Sequence, residues 1–320
     1  MYHDKPARTR SGPVLGRAEV LEVRPDLADI WRAANAAFPI LITRSWWERI
    51  QQADPNDPLA RQALPHPDEL VPDPADLDDP VGDAACSPLP WVVHKYPDRV
   101  LLLLTKRCHL YCRYCFRRNH HPSERVDPTP EEWRAAVEYA RTSGATEVIL
   151  SGGDPLAVSD DQLFEAIDAL RDQVPTLRIH TRAPITRPDR VTPALVQGLA
   201  ARGPIWVVVH CNHKAELSPE VDAALARLVD AGVPVLNQAV LLRGVNDDVE
   251  VLAALCEALV QRRVFPYYLH HTDAAGGNAH FRVSLEEGRL LWQGLRARVS
   301  GVALPRYVID PPDGSGKRDV

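Results

Sequence analysis

The chain has 320 residues, 45% hydrophobic and 25% charged, which excludes the disordered and fibrous classes and leaves room for a sizeable core. Lys plus Arg total 37 against 43 Asp plus Glu, a formal charge of −6, so no overall field draws in nucleic acid or an anionic membrane surface. Five lysines (Lys5, Lys95, Lys106, Lys214, Lys317) and six cysteines leave few candidates for amine or thiol chemistry.

The first residues, MYHDKPARTRSGP, are polar and lack the apolar stretch of a secretory signal. No apolar run approaches the roughly 18 residues of a membrane span. A cytoplasmic protein with reduced thiols is therefore expected. Residues 15–52 read as helical, with apolar residues three and four apart from Leu21 to Ala36 and a second segment at Trp46–Ile50. From Asp54 to Pro90 the chain is rich in Pro, Asp and Ala, which predicts an irregular connection with short helical turns. Its acidic run, Asp73–Asp79, reads as a solvated linker. A boundary near residue 92 divides an N-terminal helical and linker region, 1–92, from the rest, 93–320.

Beyond it, short β-branched runs at 100–105, 147–151, 178–182, 205–210, 233–239, 265–270 and 307–310 alternate with helical patterns at 129–143, 160–172, 192–202, 217–231, 248–263 and 284–299. Thr129, Thr192 and Ser218 each precede a proline, the residue order of a capped helix start. Near-continuous apolar strands joined by helices predict an α/β fold, a partial or complete (β/α) barrel of about six units behind a proline-rich helical lead-in. Barrel enzymes gather their functional groups at the C-terminal ends of the strands. The polar stretches fall there: Cys108–Cys115, Ser151–Asp154, Arg182, His210–His213, Asn237–Gln238, His270–Asp273 and Asp310.

Cys108, Cys112 and Cys115 form C-x3-C-x2-C on the loop after the first barrel strand. Three thiolates so spaced suit an iron-sulfur cluster or zinc. A structural zinc needs a fourth ligand, for which His94, His109 and His120 are near in sequence. Ser151, Gly152, Gly153 and Asp154 follow the second strand, where glycines permit close backbone approach and a carboxylate can meet a cation or hydroxyl. Cys256, in VLAALCEALV, reads as a buried apolar residue.

C-x3-C-x2-C followed by an aromatic, here Phe116, resembles the signature of radical S-adenosylmethionine enzymes. The stretches HKYPDRVLLLLTKRCHLYCRYCFRR, ILSGGDPL, VPVLNQAVLLRGVND, PYYLHHTDAAGGNAHFR and VIDPPDGSGK resemble the lysine 2,3-aminomutase family, from about residue 45 onward. The resemblance implies a [4Fe-4S] cluster on Cys108, Cys112 and Cys115, with S-adenosylmethionine met by Ser151, Gly152, Gly153 and Asp154. It implies pyridoxal 5'-phosphate on Lys317, although the family's run before that lysine is more uniformly glycine than DGSG. Arg99, Asn237 and Gln238 match phosphate-binding positions. Lys95 stands where the family has an arginine, whose bidentate contact a lysine does not reproduce.

For the substrate, the resemblance places Arg117 on the carboxylate and Asp273 and Asp310 on the side-chain ammonium of lysine. The expected activity is that of an isomerase converting L-lysine to β-lysine, served by an electron donor, with no nucleic-acid or membrane partner and a homo-oligomer left open. Two branches of the family fit: one supplies β-lysine for modifying elongation factor P, and the other is the free-standing aminomutase. The alternatives are an aminomutase for another amino acid such as glutamate, a radical enzyme without pyridoxal phosphate, and a zinc-binding interaction module.

Overall fold

The computed structural model describes residues 14–52, 54, 56–118 and 125–320; Lys5 and His120 lie outside them. The lead-in forms α1 (Arg17–Val23), α2 (Ala28–Ala37), α3 (Arg44–Trp47) and α4 (Pro58–Ala63). The helical reading of 15–52 is thus broken into pieces. Pro25 opens a short 3-10 turn between α1 and α2, because its ring cannot sit inside a continuing helix. Asp57 caps α4 by accepting the backbone N–H groups of Leu59 and Ala60 at 2.9 and 2.7 Å, with Pro58 at the first helical position.

The barrel then runs β1 (Val92–Tyr96), β2 (Arg99–Thr105), α5 (Pro130–Thr142), β3 (Glu147–Gly152), α6 (Asp160–Arg171), β4 (Thr176–Thr181), α7 (Ala183–Thr186), α8 (Pro193–Ala201), β5 (Ile205–Val209), α9 (Pro219–Asp230), β6 (Val235–Val240), α10 (Val249–Gln261), β7 (Phe265–His270), α11 (Leu285–Arg298), β8 (Arg306–Ile309) and β9 (Arg318–Asp319). The predicted caps form: Thr129 accepts from Glu132 N–H at 3.2 Å, Thr192 from Leu195 at 3.1 Å and Ser218 from Val221 at 3.4 Å. The strands lie side by side in sequence order. β2 to β8 are parallel, while β1 and β9 are antiparallel additions at the two edges. The edges do not pair with each other, so the barrel is partial. Across the resulting seam, the Lys317 backbone N–H donates to the Tyr96 hydroxyl.

Strand alternation sorts the side chains. Leu102, Leu150, Leu177 and Ile179 are fully buried in the main apolar core with residues of the helices, while Leu101, Leu103, Ile149 and His180 face an internal cavity. That core also holds Val20, Trp31, Trp46 and Leu59, so one hydrophobic core runs across residue 92, where β1 begins. No helix among the described residues is long and apolar enough to cross a membrane.

The lead-in is a collar around the C-terminal rim of the barrel. Thr43 Oγ1 donates to Thr186 O at 2.6 Å, Arg49 donates to Ile185 O at 2.8 Å and to Glu216 O, and Leu77 N–H donates to Ala274 O at 2.8 Å. The acidic run is solvated only in part: Pro74, Ala75, Leu77 and Asp78 are exposed, but two of its aspartates are tied to the barrel. Asp73 (3.2 Å) and Asp76 both ion-pair with Arg282, whose neutralising charge lies some two hundred residues away in the chain and gives no local sign.

Candidate active site

A cavity of about 510 Å³ occupies the barrel and opens on the loops after the strands. All three cysteines line it, on the loop between β2 and α5. Arg113, between Cys112 and Cys115, has no exposed surface; its Nε reaches both Glu69 carboxylate oxygens at 3.0 Å and its Nη1 donates to Phe38 O and Pro39 O. Arg118 reaches the same carboxylate at 3.3 Å. The cysteine loop is therefore bolted to the collar by a buried triad of charges. On the barrel side, Arg182 donates to Cys112 Sγ at 2.7 Å, to Gln62 at 2.7 Å and to Glu216 at 3.1 Å.

The donor set fits a cluster better than a single ion. Burial, then Cys112, pushes the Cys115 thiol up to about 11, and burial, then Cys115, raises Cys108 well above the ordinary thiol range. Thiols that discourage one another's ionisation in this way need a cationic centre to become ligands. Among the described residues, no group of three or more His, Cys, Asp or Glu side chains is placed to hold a single metal ion. Of the histidines considered as a fourth zinc ligand, His94 is engaged with the Tyr139 hydroxyl at 2.7 Å and His109 with Leu156 O at 3.2 Å, while His120 lies outside the described residues. An all-thiolate donor set is the one that iron-sulfur clusters take.

Gly152 and Gly153 serve the protein first. A Cβ on Gly152, at φ +129°, would stand 2.2 Å from Thr105 O, and one on Gly153 2.3 Å from Arg107 O. The end of β3 thus presses against the stem of the cysteine loop, with Gly153 N–H on Thr105 O and Asp154 N–H on Arg107 O, both at 2.7 Å. The Asp154 carboxylate accepts from Leu156 N–H, Thr181 Oγ1 and Arg182 N–H at 2.6 to 2.9 Å. Three protein donors therefore hold it as a brace, while Ser151, Gly152, Gly153 and Asp154 all line the cavity.

Lys95, Arg99 and Gln238 also line the cavity, and Asn237 does not. Both amide ends of Asn237 are committed to the Cys211 backbone, at 2.8 and 3.0 Å. This corrects its reading as a phosphate donor: neighbours on one strand point to opposite faces, so Asn237 and Gln238 cannot both face the interior. Asn237 instead fixes the turn after β5, where Cys211 is fully buried. Arg243 is a surface residue paired with Glu287 at 3.0 Å.

Arg117, Asp273, Asp310 and Lys317 meet in the same cavity. Lys317 Nζ lies 2.7 Å from Asp310. Burial, then the Asp310 carboxylate, pushes Asp273 up to about 7. Arg117 pairs with Asp83 of the collar at 3.0 Å and donates to Gly152 O at 3.3 Å. Burial works against the Asp83 charge, but Arg117 and Lys95 hold its carboxyl down at about 2. Burial also lowers His180, His210 and His270, so the interior histidines are neutral. Neither Asp83 nor Glu69 announced a role in the sequence, because each acts through a partner more than thirty residues away, whereas Arg182 was expected at the rim by its place at the end of a strand but without its partners.

The family described as the Radical SAM superfamily matches residues 102–256. An L-lysine 2,3-aminomutase from Clostridium subterminale is 43% identical over 289 residues, 87% of this chain and 68% of that protein. The L-lysine 2,3-aminomutase of Escherichia coli K12 is 41% identical over 280 residues, 86% of this chain and 81% of that protein. That of Bacillus subtilis is 36% identical over 302 residues, 93% of this chain and 64% of that protein. Among solved structures, a radical SAM methyltransferase from Sphaerobacter thermophilus aligns with a TM-score of 0.45 at 22% identity over 68% of each chain. With its cysteine loop, partial barrel and relatives of this identity, the chain belongs to the lysine 2,3-aminomutase family of radical S-adenosylmethionine isomerases.

Proposed function

We propose that the protein converts L-lysine to β-lysine, with a [4Fe-4S] cluster on Cys108, Cys112 and Cys115, S-adenosylmethionine beside Ser151 to Asp154, and pyridoxal 5'-phosphate on Lys317. The observation that carries this reading is a single cavity that joins the cysteine loop to Arg117, Asp273, Asp310 and Lys317 among its charged lining residues. When bound, the cluster and S-adenosylmethionine supply a radical by one-electron reduction, and pyridoxal phosphate supplies the electron sink for nitrogen migration. The chain's own contribution is orientation and exclusion of water. Arg117 takes the substrate carboxylate, and Asp273 with Asp310 takes the distant ammonium through charge-assisted bonds. Lys95, Arg99 and Gln238 are the donors on the cofactor side.

Asp310 has two tasks in sequence. Without cofactor it neutralises the Lys317 ammonium at 2.7 Å; once that amine is engaged, the carboxylate is released for the ammonium of the substrate. A dicarboxylic substrate such as glutamate would bring a second negative charge against both aspartates, a like-charge contact that disfavours it. The test is anaerobic reconstitution with iron, sulfide and pyridoxal phosphate, followed by an amino-acid screen with S-adenosylmethionine and a reductant. β-Lysine from lysine and no product from glutamate are expected. A fully loaded protein that makes no β-lysine would overturn the reading.

A pH dependence follows from Asp273. Below about 7 its carboxyl is protonated and offers no charge to an ammonium; above it the group is ionised. Because kcat/KM reports the free enzyme, kcat/KM for lysine should climb through pH 7 to a plateau. Asp273→Asn should remove that limb and lower the plateau, and an unchanged profile in the variant would assign the limb elsewhere.

A further inference from the structure

We infer that Asp83, supplied by the collar rather than by the barrel, is a positioning residue that aims Arg117 at the substrate carboxylate and ties it to Lys95. The inference rests on the proposed lysine reaction and adds a residue to it. One carboxylate joins the two cations: Asp83 Oδ2 lies 3.0 Å from Arg117 Nη2, and Oδ1 lies 2.7 Å from Lys95 Nζ. Lys95 also donates to Val81 O. All three side chains are largely buried, at 20%, 17% and 9% exposure for Asp83, Arg117 and Lys95, and all three line the cavity.

The bridge leaves Arg117 incompletely used. Nη2 is on Asp83, Nη1 is on Gly152 O at 3.3 Å, and the guanidinium lies over the Phe116 ring. Its Nε is buried and has no partner. A buried N–H without an acceptor is costly, and a carboxylate ligand is the acceptor that a guanidinium edge fits. Asp83 thus occupies one corner of Arg117 and presents the rest. It also sets the charge of this wall: two cations and one anion leave a single positive charge, matched to one carboxylate.

Asp83 is itself held firmly. Its N–H donates to Asp79 Oδ1 at 2.9 Å, and its carbonyl accepts from Ser87 Oγ at 2.7 Å. The preceding Gly82, at φ +69°, passes so near the Lys317 loop that a Cβ there would stand 2.6 Å from Gly314 N. The anchor for Arg117 is therefore registered against the segment that carries Lys317.

The test compares wild type with Asp83→Asn, Asp83→Ala and Asp83→Glu as reconstituted holoenzymes. An arginine released from its anchor must be ordered by the substrate, so KM for lysine should rise about tenfold in the Asn and Ala variants while kcat changes by less than about threefold, and Glu should restore most of the loss. In an Arg117→Lys background, Asp83→Asn should add less than about a further twofold, because the two residues act as one unit. Equal iron content and melting temperature exclude a folding defect. A wild-type KM in Asp83→Asn, or the same multiplicative loss in both backgrounds, overturns the inference. Lysine binding is also read without turnover, from the change in cofactor absorbance on titration. A protein that binds lysine but makes no β-lysine would therefore fail the proposed reaction and still report on Asp83.

Discussion

Glu69→Ala should lose about 3–5 kcal/mol of folding stability, the usual cost of removing one partner from a buried ion pair. Glu69 is enclosed between Arg113 and Arg118, with side-chain exposures of 0%, 0% and 4% respectively. Deleting it leaves two buried guanidinium groups with carbonyl partners and no counter-charge. Replacing a whole buried pair with apolar residues can be neutral, but here only the shared anion goes. Against a total stability of about 5–15 kcal/mol, the change is severe. It also reaches the chemistry, because Arg113 lies between two cysteines and Arg118 follows the third. Chemical denaturation and iron content measured together check it: both should fall, and Glu69→Gln, which keeps one acceptor oxygen without the charge, should fall between wild type and Ala. Undiminished stability in Glu69→Ala would mean that the collar does not hold the loop.

Lys317→Ala should abolish both β-lysine formation and the absorbance of lysine-bound pyridoxal phosphate, while iron content stays at the wild-type level. Only an amine can hold the cofactor covalently, so Lys317→Arg, which keeps a cation beside Asp310, should fail as completely. That second variant separates an anchor from an ion-pair partner. If Lys317→Ala retained the absorbance, the anchor would be another lysine of the cavity: Lys95, already committed to Asp83 and Val81, or Lys106, at the stem of the cysteine loop.

The parallel strands and their helices were legible in the sequence because local chemistry dictates them: apolar strands of even length, capped helix starts such as Thr129-Pro130, and polar residues confined to strand ends. The edges were not. β1 is an antiparallel partner of β2 across a turn at Pro97 and Asp98, and β9 is two exposed residues, too short for periodicity to register. The collar was hidden for a different reason. Asp73 and Asp76 read as solvent-facing until Arg282 is brought to them, and a charge pair across the chain leaves no spacing to detect. At the site, residues with their own chemistry were visible, whereas residues acting through others, such as Asp83 and Glu69, needed coordinates. Asn237 is the instructive miss, because strand alternation already forbids it from sharing a face with Gln238.

The seam between β1 and β9 puts the proposed cofactor lysine at the open edge of the sheet. Two residues of pairing and the exposed ion pairs Arg306–Asp319 and Arg318–Asp313 contribute little, which makes this edge the weakest part of the barrel wall. Lys317 is the residue beside it, and its backbone reaches across to Tyr96. A ligand held by Lys317 would therefore be anchored at the least braced edge of the sheet, and its binding energy would add to the few contacts that hold that edge in place.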